Sequence, residues 1–186
     1  GAANLLVFKE GVGLWAENTD GTGLADSLRE ELGNASLRGK NIVLIGAGGA
    51  ARGAIWAFQQ DGVGKITILN RHRERADQLA EHAKKKLANG TIRAGSLEDW
   101  REAAHDAWLV INTTSAGMKG NPPLQIDLAA LDNPINICDI VYNPLETPLL
   151  KEAKRLGHNA IDGLGMLMHQ AAPSFQAFFY EEMNGE

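Results

Sequence analysis

Asn41-Ile42-Val43-Leu44-Ile45-Gly46-Ala47-Gly48-Gly49-Ala50-Ala51 decides the fold. An apolar, β-branched run meets glycines and gives way at once to helix-forming residues, the pattern of a strand, a tight turn and a helix start. Gly46 permits a sharp backbone turn, Gly48 lets a pyrophosphate approach without a Cβ in the way, and Ala51 is small enough to pack the new helix on a sheet. Such a helix directs free N–H groups and the positive end of its dipole at an anion. The G-x-G-x-x-G/A spacing also arises where a glycine turn serves topology alone, so the flanks carry the reading. Both flanks agree here, and Gly46, Ala47, Gly48, Gly49 and Ala50 are read as a diphosphate-binding turn.

Outward from this turn the chain alternates. Ala50 to Asp61 reads as a helix with Ile55 and Phe58 on one face, ended by Gly62 to Gly64, and Lys65 to Leu69 as a second strand. Arg71 to Leu87 is rich in helix formers and closes at Asn89-Gly90; Thr91 to Ala94 reads as a short strand. Trp108 to Asn112 and Ile135 to Ile140 are continuous apolar runs, as expected where both faces of a parallel sheet are covered. A helix over Thr147 to Leu156 and a strand around Asn159 to Ile161 follow. The pattern predicts an α/β fold, a Rossmann-like doubly wound parallel sheet with helices on both faces.

Two flanking pieces fall outside that alternation. Leu5 to Phe8 and Val12 to Ala16, around Gly11 and Gly13, predict a hairpin. Gly163 to Met183, with Met166, Leu167, Phe175, Phe178 and Phe179, predicts a long helix more apolar than one sheet face requires. Both are expected to seek a partner surface, by dimerisation or domain exchange.

Composition bounds the function. At 186 residues the length suits one full domain plus an appendage, and the net charge of −5 with interspersed signs argues against a nucleic-acid surface. No apolar run approaches the roughly 20 residues of a membrane span, and no metal-ligand spacing of Cys, His and carboxylates is evident, so a cytoplasmic protein without a metal is expected. The single cysteine, Cys138, lies among apolar residues and reads as a buried thiol rather than a nucleophile.

The end of the second strand speaks to the choice of dinucleotide. Sites for NAD carry Asp or Glu about 20 residues beyond the glycines, where the carboxylate binds the ribose 2′-hydroxyl. Asn70-Arg71-His72-Arg73-Glu74-Arg75 stands there instead. Asn70 can hydrogen-bond a 2′-phosphate and Arg71 and Arg75 can clamp it, so the cofactor is read as NADP. Glu74, by pairing with an arginine, would blunt that preference.

Several strings, in order, resemble the shikimate dehydrogenase family. They are Gly1-Ala2-Ala3-Asn4, Asn18-Thr19-Asp20-Gly21-x-Gly23, Gly46 to Arg52, Asn70-Arg71, Asn112 to Met118, Asp139-x-x-Tyr142-Asn143-Pro144-x-x-Thr147-Pro148-Leu149 and Asp162 to Ala171. The resemblance implies NADPH-dependent reduction of 3-dehydroshikimate. By position it implies substrate contacts at Asn4, Asp20, Tyr142 and Gln170, with Asp20 the carboxylate of a catalytic Lys/Asp pair. It implies that Asn70, Arg71, His72 and Arg75 hold the adenosine phosphate, that Thr113, Thr114 and Ser115 line the groove, and that Ile140, Gly163 and Met166 border the nicotinamide.

Each residue also admits a plainer role. Asp20 can be the N-cap of a helix over Thr22 to Leu32, Gln170 an exposed helix residue, and Tyr142 a packing residue with its hydroxyl in water. His169, beside Gln170, reads as structural.

The family's N-terminal Ser-x-Ser motif and catalytic lysine have no match; Lys9, Lys40 and Lys65 stand in no corresponding motif, and Leu5 replaces the family's usual Thr. The expected organisation is a substrate-domain remnant over 1–20, an NADP-binding domain over 21–162 and a helix over 163–186 that packs back on the substrate domain. A fragment competent to bind NADP but not to catalyse is expected; a stand-alone dinucleotide-binding or sensor module and an NAD-using quinate/shikimate relative are the alternatives.

Overall fold

The apolar runs become strands whose residues alternate between two cores. In β3 (Asn41–Ile45) Ile42 and Leu44 face one side and Val43 and Ile45 the other, all four essentially fully buried. The computed structural model describes residues 2–9, 11, 13–86 and 91–184; Gly1, Val12, Leu87 and Asn89-Gly90, named above, lie outside them. A hairpin of β1 (Leu5–Lys9) and β2 (Gly13–Glu17) comes first, followed by α1 (Asp20–Glu31), β3 and α2 (Gly49–Gln60). Then come β4 (Lys65–Leu69), α3 (Arg73–Lys86), β5 (Thr91–Gly95), α4 (Trp100–Ala104) and β6 (Leu109–Asn112). The chain continues through β7 (Asn136–Asp139), α5 (Pro148–Arg155), β8 (Asn159–Ile161) and α6 (Leu164–Asn184).

The six later strands form one parallel sheet in the order β5-β4-β3-β6-β7-β8, with Leu44 level with Ile68 on one side and Ile111 on the other. The chain runs outward from β3 to β5, then returns to lay β6 against the free side of β3. That reversal is the topological switch point, where open α/β sheets place their ligands. One face is covered by α1, α2 and α3 through Leu24, Leu28, Ala54, Phe58, Leu79 and Ala83. The other is covered by α4 and α5 through Trp100, Ala104, Leu149 and Ala153. Coverage on both sides is why β6 and β7 read as unbroken apolar runs.

Local chemistry sets the helix ends. Thr147 Oγ1 accepts from Leu150 N at 3.3 Å, Pro148 opens the first turn of α5, and Lys154 and Arg155 sit in its last. The first helix begins two residues before the expected Thr22: Asp20 is its first residue, Thr19 its cap position, and Asn18 Oδ1 accepts from Gly21 N at 3.2 Å. Asp20 is therefore not the N-cap. The third helix starts at Arg73 rather than Arg71, because Asn70 Nδ2 donates to His72 O at 2.9 Å and holds residues 70–72 in a turn.

Small residues let α1 lie against two helices at once. A Cβ on Gly21 would fall 2.1 Å from Gly53 O of α2, and one on Gly23 would fall 2.7 Å from Gln170 N of α6. Gly165 approaches Ser27 in the same way. Beyond that packed half of α6, Phe175 and Phe178 are exposed, as are Leu6, Phe8 and Leu14 of the hairpin. Among the described residues no helix is long and apolar enough to cross a membrane.

Candidate functional site

The end of β3 is shaped for an anion. Gly46 turns with φ +116°, a backbone conformation open to glycine, and a Cβ there would meet Thr113 Oγ1 at 2.7 Å. Thr113 closes the switch point from the β6 side: both its N and its Oγ1 donate to Ile45 O at 2.8 Å. Gly48 occupies the N-cap of α2 in extended backbone, with no side-chain cap. It is exposed, and a Cβ built on it would have nothing within 4 Å. Ala51, one turn on, is fully buried, as its role in seating the helix demands. The first turn of α2 thus presents backbone N–H groups to open space at the switch point, which fits a diphosphate.

Next to this turn, at the end of β4, Arg71, His72 and Arg75 are exposed. The one arginine here with ion-pair partners is Arg73, which meets Asp77 and Asp99 at 3.7 Å. Among the described residues Arg71 and Arg75 take part in no ion pair, so the expected blunting by Glu74 is not seen. Asn70 contributes its amide donor to the local turn.

On the other side of β3, a buried polar chain joins two loops. Asn112, Asp139 and Thr147 are each 0 % exposed. Asn112 Oδ1 accepts from Thr114 N at 3.0 Å and Thr114 Oγ1 at 2.7 Å, while Asn112 Nδ2 donates to Asp139 Oδ1 at 2.9 Å and Ala116 O at 3.2 Å. Asp139 Oδ1 also accepts from Val141 N at 3.1 Å, and Asp139 Oδ2 from Thr147 Oγ1 at 2.7 Å. Burial pushes the Asp139 carboxyl above its ordinary range, and the bonds from Thr147, Val141 and Asn112 pull against that rise. The sequence places these three side chains inside the family strings, with no role assigned to them; the physical signal was an Asp and an Asn ending apolar strands, where burial demands partners.

The residues expected to border the nicotinamide are brought together in part. A Cβ on Gly163 would fall 2.3 Å from Ile140 O, so the start of α6 lies directly against the end of β7. Ile140 and Met166 are half-buried at the edge of the α1/α2/α3 core. Thr114 is half-buried and Ser115 exposed above them in chain order, on the loop that Asn112 anchors.

Asn4 and Asp20 meet directly. Asn4 Nδ2 donates to Asp20 Oδ1 and Thr19 Oγ1, both at 2.8 Å, and Asn4 Oδ1 accepts from Thr19 N at 2.9 Å. Both amide protons of Asn4 are thereby engaged, which clips the hairpin to the start of α1 and orients the Asp20 carboxylate. Gln170, half-buried, packs its backbone against Gly23 and donates from Nε2 to Leu167 O at 3.2 Å. Tyr142 is 51 % exposed on the segment after β7. His169 Nε2 lies 2.8 Å from Glu30 Oε2, tying α6 to α1, in line with a structural role.

A parallel sheet whose switch point carries a glycine turn and an open helix N-terminus, with two arginines after the next strand that take part in no ion pair among the described residues, defines a dinucleotide-binding protein of the doubly wound class. Comparison with known proteins narrows this. The shikimate / quinate 5-dehydrogenase family matches residues 27–141, more than half of the chain. A shikimate dehydrogenase (NADP(+)) of Cereibacter sphaeroides is 42 % identical over 182 residues, covering 96 % of this chain and 62 % of the relative. One from Ruegeria is 41 % identical over 182 residues, covering 96 % and 63 %.

Among solved structures, quinate dehydrogenase from Corynebacterium glutamicum in complex with NAD superposes with a TM-score of 0.84 at 30 % identity, over 95 % of this chain and 62 % of that one. Shikimate 5-dehydrogenase from Thermus thermophilus in complex with NADP(H) and shikimate gives 0.77 at 33 % identity, over 95 % and 61 %. The chain belongs to the shikimate/quinate dehydrogenase family, and it spans about 62 % of the length of the curated relatives it matches.

Proposed function

We propose that this chain is the NADP-binding part of a shikimate dehydrogenase, the enzyme that reduces 3-dehydroshikimate to shikimate. One observation carries the reading: the exposed Gly48, at the mouth of α2, has no protein atom for a Cβ to meet. A glycine not required by packing or by φ is explained by a ligand that must come close. Gly46 to Ala50 hold the diphosphate, and Asn70, Arg71, His72 and Arg75 hold the adenosine 2′-phosphate. Thr113, Thr114 and Ser115 line the groove, with Ile140, Gly163 and Met166 beside the nicotinamide. Bound NADPH supplies a hydride to the ketone carbon.

The remaining requirement is a proton for the developing alkoxide, delivered by an acid beside the carbonyl. Asp20, oriented by Asn4, is the carboxylate of that acid/base pair, and Asn4, Tyr142 and Gln170 hold the ring hydroxyls together with it. The lysine of the pair has no counterpart among the matched motifs, so turnover needs that group supplied from outside these residues. Residues 1–20 and 163–186 then belong with the substrate side and 21–162 with the cofactor side. The exposed apolar residues of the hairpin and of distal α6 pair two copies in a cytoplasmic homodimer.

A second reading, an NAD-using quinate/shikimate dehydrogenase, draws on the likeness to the quinate dehydrogenase bound to NAD. The unpaired Arg71 and Arg75 favour NADP. Titration calorimetry of the parent with NADP+ and NAD+ separates the two readings, NADP+ binding the tighter; Gly48→Ala keeps the melting temperature and abolishes NADP+ binding. Unchanged binding by that variant overturns the diphosphate assignment.

A further inference from the structure

Two loops face the same half of the groove, one after β6 (113–115) and one after β7 (140–142). They do not meet through backbone pairing alone; Ile140 N donates to Asn112 O at 3.2 Å, and the rest of the junction is made by side chains. We propose that Asp139 is a positioning residue that locks these two loops into one wall on the nicotinamide side of the groove. This rests on the dinucleotide reading above.

The bond directions support it. Thr114 donates to Asn112, Asn112 donates to Asp139, and Thr147 donates to Asp139 while accepting from Leu150 N. Every partner of the Asp139 carboxylate is a donor, so the pocket is built for an acceptor with two oxygens. An isosteric amide cannot keep all three bonds: placing its oxygen toward Asn112 and Val141 turns its NH2 toward the Thr147 hydroxyl, whose proton then lacks this acceptor. The reverse orientation sets NH2 against two N–H groups. The first orientation loses the tie to α5 through Thr147, and the second takes the fixed reference from Val141 and Thr114; in both the wall is no longer closed.

Core packing does not require this chain. The Asp139 side chain lies between strand ends, at the level where the sheet stops and the loops begin, while the apolar clusters are complete through Ile137 and Cys138. Burying a carboxylate opposes folding unless its hydrogen bonds are complete, and here the bonds that complete it come from the starts of the two loops and from α5.

The test separates the nicotinamide half from the adenosine half. The 186-residue chain and its Asp139→Asn variant are titrated with NADP+ and with adenosine 2′,5′-bisphosphate, which carries the adenosine phosphates but no nicotinamide. The expected result is NADP+ binding weakened about tenfold, the loss of one charge-assisted hydrogen bond's worth of order, with the bisphosphate within about twofold of the parent. Equal weakening of both ligands, or of neither, overturns the proposal.

If Asp139→Asn does not fold, Thr147→Ser and Thr147→Val replace it. The serine retains the donor and matches the parent, and the valine shows the selective loss of NADP+; identical behaviour of the two again overturns the proposal. A parent chain that binds the bisphosphate but gains nothing from the nicotinamide half refutes the wall alone. A parent that binds neither ligand refutes the dinucleotide reading itself and this proposal with it.

Discussion

Gly21 of α1 and Gly53 of α2 meet backbone to backbone: a Cβ on Gly21 would sit 2.1 Å from Gly53 O and 2.5 Å from Gly53 C. Two competing effects act on an alanine at position 21. In an exposed helix, replacing glycine with alanine gains about 1 kcal/mol. Overpacking against backbone, which cannot rotate away, costs about 1–3 kcal/mol and displaces the helix.

With the added Cβ so close to backbone the cost wins, and Gly21→Ala destabilises the chain by up to about 2 kcal/mol, read as a lower urea midpoint at unchanged slope. Gly49→Ala is the control. Its Cβ would meet only Ala2 Cβ, at 3.9 Å, and its stability stays within about 0.5 kcal/mol of the parent or rises.

Arg71→Ala and Arg75→Ala test the phosphate clamp. Each removes a charge-assisted bond to the 2′-phosphate worth about 1.5–3 kcal/mol, so NADP+ affinity falls roughly tenfold or more while NAD+ affinity holds. Raised salt narrows the difference, because both guanidinium groups are exposed. Equal effects on NADP+ and NAD+ count against the clamp.

Much of this architecture could be read before the structure was known, for a physical reason. Strand and helix periods are local, and the run from Asn41 to Ala51 holds a strand, its turn and the helix start within eleven residues. The hairpin and the helix from Leu164 were legible for the same reason. The helix at Trp100–Ala104 was not, being only five residues long and held by the packing of Trp100 and Ala104 rather than by pattern. Site residues divide likewise. Gly46 and Gly48 announce themselves by a turn they make in place. The bond from Asn112 to Asp139 spans 27 positions, and that from Asn4 to Asp20 spans 16, so neither leaves a periodic trace.

Cys138 resists modification in the folded chain. It is 2 % exposed, and burial first, then the neighbouring Asp139 charge, pushes its thiol far above the ordinary range. The thiolate is the reactive form, so labelling by a thiol reagent at pH 8 proceeds on the order of a hundredfold slower than for an exposed cysteine. One equivalent reacts on adding denaturant.

At the opposite end of the sheet, Asp106 accepts from Lys65 Nζ at 2.6 Å and from Asn41 Nδ2 at 2.8 Å. The Lys65 hydrogen bond holds its carboxyl below the usual carboxylate range. A lowered folded value means the contribution is present above about pH 4 and fades as pH falls through the lowered value. The parent therefore loses stability on acidification more steeply than Asp106→Asn, by a small margin because Asp106 is half-exposed. Chemical denaturation between about pH 2 and 7 measures it.

The bare crossing of Gly21 over Gly53 has a mechanical consequence. Where the two backbones touch, no side chain lies between them to absorb a relative rotation, so Asp20, one residue before the contact, is held firmly against α2. Under the function proposed above, the acid group and the phosphate cradle therefore keep one separation.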